Sequence, residues 1–264
     1  MSTESEFHIY RHPEKKGEML PRQDNPDEMI DLPKEGLQQA QQEFADLAKR
    51  VEKIPGAVIL VYTSIVPRAV EAGYIASEEL RVMAEQLPNS KIFSLEKEGS
   101  LEKISQQVDK KTDKVVIVEP IVDLVFGDRD LKDDEVKTLF AKYNVKTADE
   151  FIAKWLDNKE MQAEFEDKIG TTPLGAASEM RAWIGNKFHE VQKLFPGRPM
   201  VVAGIGHSGN LDAAFLGLRS KSVIGEELEK IGGSIKTMEK ATLIVDQDGK
   251  GSVEYRKQKS DIRL

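Results

Sequence analysis

The 264-residue chain has no cysteine. That excludes disulfides, thiol catalysis and thiolate metal sites together. Histidine is scarce too: there are four, with no spaced partners of the kind a metal centre uses, so no metal and no cofactor is expected. No apolar run approaches the roughly 20 residues of a membrane span. The segment MSTESEFHIYRH is polar and acidic and has no apolar signal-peptide core. A cytoplasmic protein without membrane contact is the expectation. Basic charge is also in deficit: the net charge is −8 and the isoelectric point about 5.3. That balance argues against nucleic acid, which needs a basic face, and against a strongly anionic polymer as substrate. A local basic pocket for one phosphate is still open to such a chain.

At 39% hydrophobic residues the chain can bury a substantial core. Strand and helix patterns alternate, which predicts an α/β domain. Strands are expected at Phe7 to Tyr10, Ala57 to Thr63, Lys91 to Phe93, Lys114 to Glu119 and Met200 to Gly206. Two more, Ala241 to Asp246 and Ser252 to Arg256, flank the hairpin signal Gln247 to Gly251. Helices are expected from Pro33 to about Lys53, where Leu37, Ala40, Phe44, Leu47, Ala48 and Val51 form one stripe, and over 68–85, 101–108, 175–194 and 209–218. Residues 11–32 read as an irregular polar loop. Residues 128–172 read as a helical insertion over one edge of the sheet, with Trp155 and several Phe residues on apolar faces. The expected architecture is one domain, 1–264, of three α/β/α layers, with a mostly parallel central sheet and helices on both faces.

Three of the strand runs deliver Arg or His at their C-terminal ends: Arg11-His12, Ser64 to Arg68, and His207. In an open α/β sheet that edge is where ligands bind. Two histidines and two arginines meeting there would form a phosphate pocket with one imidazole available to attack phosphorus. The planar fork of Arg suits phosphoryl oxygens, and a carboxyl group is needed to protonate the leaving oxygen.

These residues resemble the histidine phosphatase superfamily, the group of phosphoglycerate-mutase-like phosphatases. Arg11-His12 is similar to its Arg-His-Gly signature. Leu32 to Ala40 resembles its Leu-Thr-x-x-Gly-x-x-Gln-Ala helix start, and Ser64-x-x-x-Arg68-Ala69 its Ser-x-x-x-Arg-Ala element. The strand ending at His207 resembles the one carrying the second family histidine. Pro173-x-Gly175-x-x-Ser178-Glu179-x-Arg181 loosely resembles the Gly-Glu-Ser segment before it. The resemblance runs from residue 7 to about 255, in family order. It implies metal-independent phosphomonoester hydrolysis or transfer through a phosphohistidine. His12 would be the nucleophile, and Arg11, Arg68 and His207 would hold the phosphoryl group. For the proton donor, Ile121-Val122-Asp123-Leu124-Val125-Phe126-Gly127 keeps the spacing of the family's Leu-x-Glu-x-x-x-Gly with Asp for Glu. Asp123 is favoured; Glu96 and Glu98, near Gly99, are the alternatives.

The chain departs from the family pattern in places. Pro13 replaces the glycine after the nucleophile, Ala72-Gly73 stands where Thr-Ala is common, and Ser208-Gly209 follows His207. These departures point to a divergent branch with its own small phosphorylated substrate. A phosphate-binding or regulatory protein of the same fold, and a phosphomutase, remain as other readings. Lys15-Lys16 could reach an extended substrate. His8 and His189 read as structural, and Gly204-x-Gly206-x-x-Gly209 as a chance match to a dinucleotide fingerprint.

Overall fold

Val58–Thr63 and Met200–Gly206 are apolar almost from end to end, and every residue in both is buried. Such runs belong to parallel strands covered on both faces. The computed structural model describes residues 4–13, 19–21, 29–108, 113–124, 133–207, 209–219 and 223–264. Numbered along the chain, the strands are β1 (Ser5–Arg11), β2 (Met19–Pro21), β3 (Met29–Pro33), β4 (Val58–Thr63), β5 (Ser90–Phe93), β6 (Lys114–Ile117), β7 (Ile121–Val122), β8 (Met200–Gly206), β9 (Lys240–Val245), β10 (Lys250–Tyr255) and β11 (Gln258–Arg263). The helices are α1 (Lys34–Glu52), α2 (Pro67–Glu85), α3 (Leu95–Glu98), α4 (Leu101–Gln106), α5 (Asp133–Lys142), α6 (Ala148–Asp157), α7 (Lys159–Ile169), α8 (Pro173–Leu194), α9 (Asn210–Arg219) and α10 (Gly225–Lys230).

The main sheet has the order β11-β10-β9-β1-β8-β4-β6-β5, with β7 added to the end of β4. From β1 to β5 the pairs are parallel; β9, β10 and β11 extend the other side as an antiparallel ribbon. Alternate side chains enter opposite cores, as the strand period requires. Phe7, Ile9, Val58, Leu60, Tyr62, Met200 and Val202 pack with Phe188 and Phe215 of α8 and α9. Tyr10, Ile59, Val61, Val201 and Ala203 pack with Phe44 of α1 and Ala69 and Ala76 of α2. Three layers result, with helices on both faces, as expected from the sequence. Between β7 and α8, helices α5, α6 and α7 share an aromatic cluster in which Phe151 contacts Phe140 and Phe165, and Trp155 contacts Phe165. Among the described residues no helix is long and apolar enough to cross a membrane.

The structure corrects the reading of 11–32 as an irregular loop: β2 and β3 pair antiparallel within it. It also adds α3, α10 and β11. Lys15 and Lys16 lie outside the described residues.

Gly73 answers one departure in the family pattern. A Cβ there would stand 2.8 Å from Pro120 Cβ and would also run into the Thr63 side chain. The glycine lets α2 lie against the end of β4 and the turn before β7. Gly73→Ala is expected to destabilise the fold by about 1–3 kcal/mol through overpacking. Scanning calorimetry reads this directly; an unchanged melting temperature would mean that α2 has room to move.

Candidate active site

Register brings the strand ends together. β1 pairs with β8 at Arg11↔Gly206, and β4 pairs with β8 at Thr63↔Ile205. One residue further on, His12 N donates to Gly206 O at 2.9 Å and Ser64 N to Ile205 O at 2.9 Å. His12, His207 and Ser64 thus leave three adjacent strands side by side. The imidazoles of His12 and His207 meet edge-on, with centroids 5.0 Å apart and planes at 70°.

Both rings are held by their neighbours. His12 Nδ1 lies 2.7 Å from Pro13 O. A carbonyl only accepts, so Nδ1 carries the proton and the Nε2 lone pair is free to act as a nucleophile. Pro13 has lost an N–H, but this contact uses only its carbonyl, so proline fills the role. His207 Nε2 lies 3.1 Å from Ser64 Oγ.

The electrostatics keep both imidazoles neutral. Burial is the largest cause holding His12 down to about 3; the repulsion a second charge would meet at His207 and the positive fields of Arg68 and Arg11 add to it, against the pull of Pro13 O. Burial, then Arg68 and Arg11, holds His207 down to about 4. A histidine nucleophile needs this neutral state.

Arg11 is fixed from several sides. Its N donates to Glu239 O at 3.1 Å, its O accepts from Met238 N at 3.0 Å, and Nη1 donates to Ile235 O at 2.6 Å. Its Nε is buried with no acceptor among the described residues. A buried cationic donor of this kind is costly unless an anion meets it. Arg68 is half-buried at the start of α2, just after Pro67, which suits the first helical position.

Asp123 follows directly on β7. Asp123 N and Leu124 N both donate to Thr63 O, at 3.1 and 3.0 Å, which ties this segment to the end of β4. Its carboxylate forms an ion pair with Lys187 Nζ on α8 at 2.7 Å, and that ammonium lies 5.4 Å from the centre of the Tyr62 ring. Glu96 and Glu98 are on α3, after β5 at the sheet edge, and Glu98 accepts from Gln107 Nε2 at 2.7 Å. β5 stands three strand spacings from β8, about 14 Å.

Other sequence features fall into place. His8 is buried between Glu6 (2.8 Å) and Thr242 (3.3 Å). His189 is exposed on α8, edge-on to Phe188, rather than built into the core. Gly204 lies within β8, where a Cβ would stand 2.7 Å from Ile9 Cδ1, and Gly209 has φ +84° in the turn after His207. Their spacing therefore serves packing and a turn. Ser208 and the stretch from Val125 to Gly127 lie outside the described residues. Among the described residues no group of three or more His, Asp or Glu side chains is arranged to hold a metal ion.

Sequence reasoning missed Asp212, Lys187 and the Ile235 carbonyl. Asp212 is 1% exposed, and burial pushes its carboxyl up to about 6. No local pattern marks these positions, because each acts through a partner distant in the chain.

No protein-family model matches the sequence, and no curated protein matches it. Solved structures do. A phosphoglycerate mutase from Bacillus anthracis str. Sterne matches at 12% identity and TM-score 0.50, covering 100% of this chain and 93% of that one. A mycobacterial glucosyl-3-phosphoglycerate phosphatase matches at 15% identity and TM-score 0.49, covering 90% of this chain and 89% of that one. The chain has the phosphoglycerate-mutase-like fold.

Proposed function

We propose that this chain is a divergent member of the histidine phosphatase superfamily that hydrolyses a small phosphomonoester through a phosphohistidine on His12. The observation that carries the reading is the pair of neutral imidazoles 5.0 Å apart, His12 buried and His207 half-buried, in the field of two guanidiniums, with His12 Nδ1 committed to Pro13 O.

The chemistry follows from that arrangement. His12 Nε2 attacks phosphorus as the bond to the leaving oxygen breaks, and that bond's electron pair goes to the departing oxygen. Arg11, Arg68 and His207 bind the oxygens on which charge builds up. Asp123 protonates the leaving group, and water then attacks the phosphohistidine to release phosphate. For Asp123 to do this the Lys187 pair must open and the carboxylate take up a proton from solvent; the attacking water later returns a proton to the Asp123 carboxylate as the N–P bond breaks and its electron pair goes back to His12 Nε2. Asp123→Asn is expected to slow an alkyl phosphate by about 10²–10⁴ and to leave an aryl phosphate, whose leaving group needs no proton, nearly untouched. Equal rates for native and variant on both substrates would remove Asp123 from the mechanism.

The ion pair also favours a second reading. An acid tied to a lysine gives no proton until the pair opens, which suits a phosphate-binding protein of this fold with little catalysis. Phosphate release from an aryl phosphate, with chelator present and no added metal, separates the readings. Turnover, with a phosphoenzyme that is labile to acid and stable to base, supports the phosphatase. Phosphate binding without turnover supports the binding protein. A phosphoenzyme that outlasts many seconds in water and passes its phosphoryl group to a second alcohol would point to a mutase.

A further inference from the structure

Asp212 sits in the first turn of α9, shortly after His207, and is almost completely buried. Its Oδ2 accepts from Gly209 N at 2.9 Å, and its Oδ1 accepts from Ile235 N at 2.7 Å. The first bond is the reaching-back half of a helix capping box. The second reaches a distant segment. Ile235 is itself fully buried, and its carbonyl accepts from Arg11 Nη1 at 2.6 Å. One residue therefore takes Asp212 on its N–H and Arg11 on its C=O.

The segment around Ile235 is braced from outside. Arg256 Nη1 donates to Ile231 O and Gly233 O at 2.9 and 3.0 Å, and Nη2 donates to Ser234 O at 2.8 Å. Its Nε and Nη2 also hold the Glu239 carboxylate, at 2.6 and 2.7 Å. Ser234 Oγ donates to Asp149 of α6. Glu239 and Met238, at the end of this segment, bond the main chain of Arg11. Capping α9 alone would need only a short polar side chain at its start. A buried carboxylate is a costly way to do it, and the structure uses that carboxylate to join the turn leaving His207 to the acceptor of Arg11.

We infer that Asp212 is a positioning residue for the phosphate pocket: through Ile235 it sets the direction of the Arg11 guanidinium, while its bond to Gly209 caps α9. Its consequence for phosphate rests on the reading proposed above; its effect on Arg11 does not. Asp212→Asn places an NH₂ group against one of two N–H donors, so one of the two ties is lost.

The test uses ¹⁵N-labelled full-length protein, with inorganic phosphate as the probe. Native chain, Asp212→Asn, Arg11→Lys and the double variant are compared by calorimetric titration. The Arg11 Nε–H resonance is identified by its disappearance in Arg11→Lys. Asp212→Asn is expected to weaken phosphate binding about tenfold and to move or broaden the Arg11 Nε–H signal. In the Arg11→Lys background the same substitution is expected to change phosphate affinity little, because the two residues act as a unit. Equal losses in both backgrounds, or an Arg11 signal that stays in place, would overturn the inference. Should Asp212→Asn fail to fold, Arg256→Lys loosens the same segment from its outer side and is expected to move the Arg11 signal; an unmoved signal there counts against the inference equally. A native chain that binds no phosphate defeats the phosphate-pocket reading, while the resonance still decides the link between Asp212 and Arg11.

Discussion

His12→Ala is expected to lower phosphate release by at least about a thousandfold, the scale of losing a nucleophile, while phosphate itself still binds. The reason lies in which lone pair is free. His12 Nδ1 is committed to Pro13 O, so in the proposed mechanism Nε2 is the atom with a lone pair to attack. The Nε2 of His207, by contrast, is engaged by Ser64 Oγ. Alanine removes the nucleophile but leaves Arg11, Arg68 and His207 to hold the anion. The measurement is turnover of an aryl phosphate beside calorimetric phosphate titration of the same two samples. Equal turnover by both proteins would falsify the phosphohistidine mechanism. Loss of turnover together with loss of all phosphate binding would instead make His12 part of the pocket's structure.

Acidification is expected to strip stability from the fold between pH 7 and about 4.5. The folded state holds His12 down to about 3 and His207 down to about 4, chiefly by burial. In the unfolded chain both titrate near the ordinary value of about 6.5. Folded pKa values below unfolded ones mean that the unfolded chain binds more protons in this window, so stability falls as pH falls. Each histidine accounts for about 2–3 kcal/mol by pH 4.5. Asp212 acts in the opposite sense. Burial holds its carboxyl up to about 6, so the folded state binds the extra proton there and recovers about 2 kcal/mol. The net loss from these three groups, about 3 kcal/mol, is a large part of a typical folding stability of about 5–15 kcal/mol. Urea melts at pH 7 and 4.5 measure it. In the double variant His12→Gln, His207→Gln the acid loss should shrink, leaving the loss from His8, which burial also holds below its ordinary value, set against the gain from Asp212. A native chain equally stable at both pH values would show that these imidazoles are solvated. Saturating phosphate should flatten the acid limb, since a bound anion favours a protonated His207.

The parts of the fold legible in the sequence are those whose environment is uniform along the chain. β4 and β8 are buried on both faces and so read as unbroken apolar runs; α1 reads from its single apolar stripe. β11 was not legible. Its sequence, Gln-Lys-Ser-Asp-Ile-Arg, is that of an exposed edge, with Ile262 alone buried, and the turn before it places Arg256 and Lys257 at φ +48° and +64° without a glycine to announce it. The ribbon of β2 and β3 was hidden among prolines and polar residues. At the site, the strand-end positions of His12, His207 and the element carrying Arg68 followed from chain order and sheet register. Asp212 did not, because an Asp in a first helical turn is ordinary and only the distant Ile235 N–H gives it a second use. The Lys187 partner of Asp123 was hidden for the same reason: a lysine on α8 gives no sign in sequence of what lies beside it.

The place of β1 in the sheet bears on how the protein is made. β1 lies between β8 and β9, so the strand that ends at Arg11, just before His12, has no sheet neighbour until the chain has been synthesised through Gly206, and lacks its second until Val245. Translation at about 5–20 residues per second leaves the apolar Phe7 to Tyr10 segment waiting on the order of ten seconds or more. During that interval it is an unpaired strand of the kind that chaperones bind, and the histidine pair cannot assemble. Assembly of the histidine pair is therefore a late event in synthesis, reached only when β1 is closed in by β8.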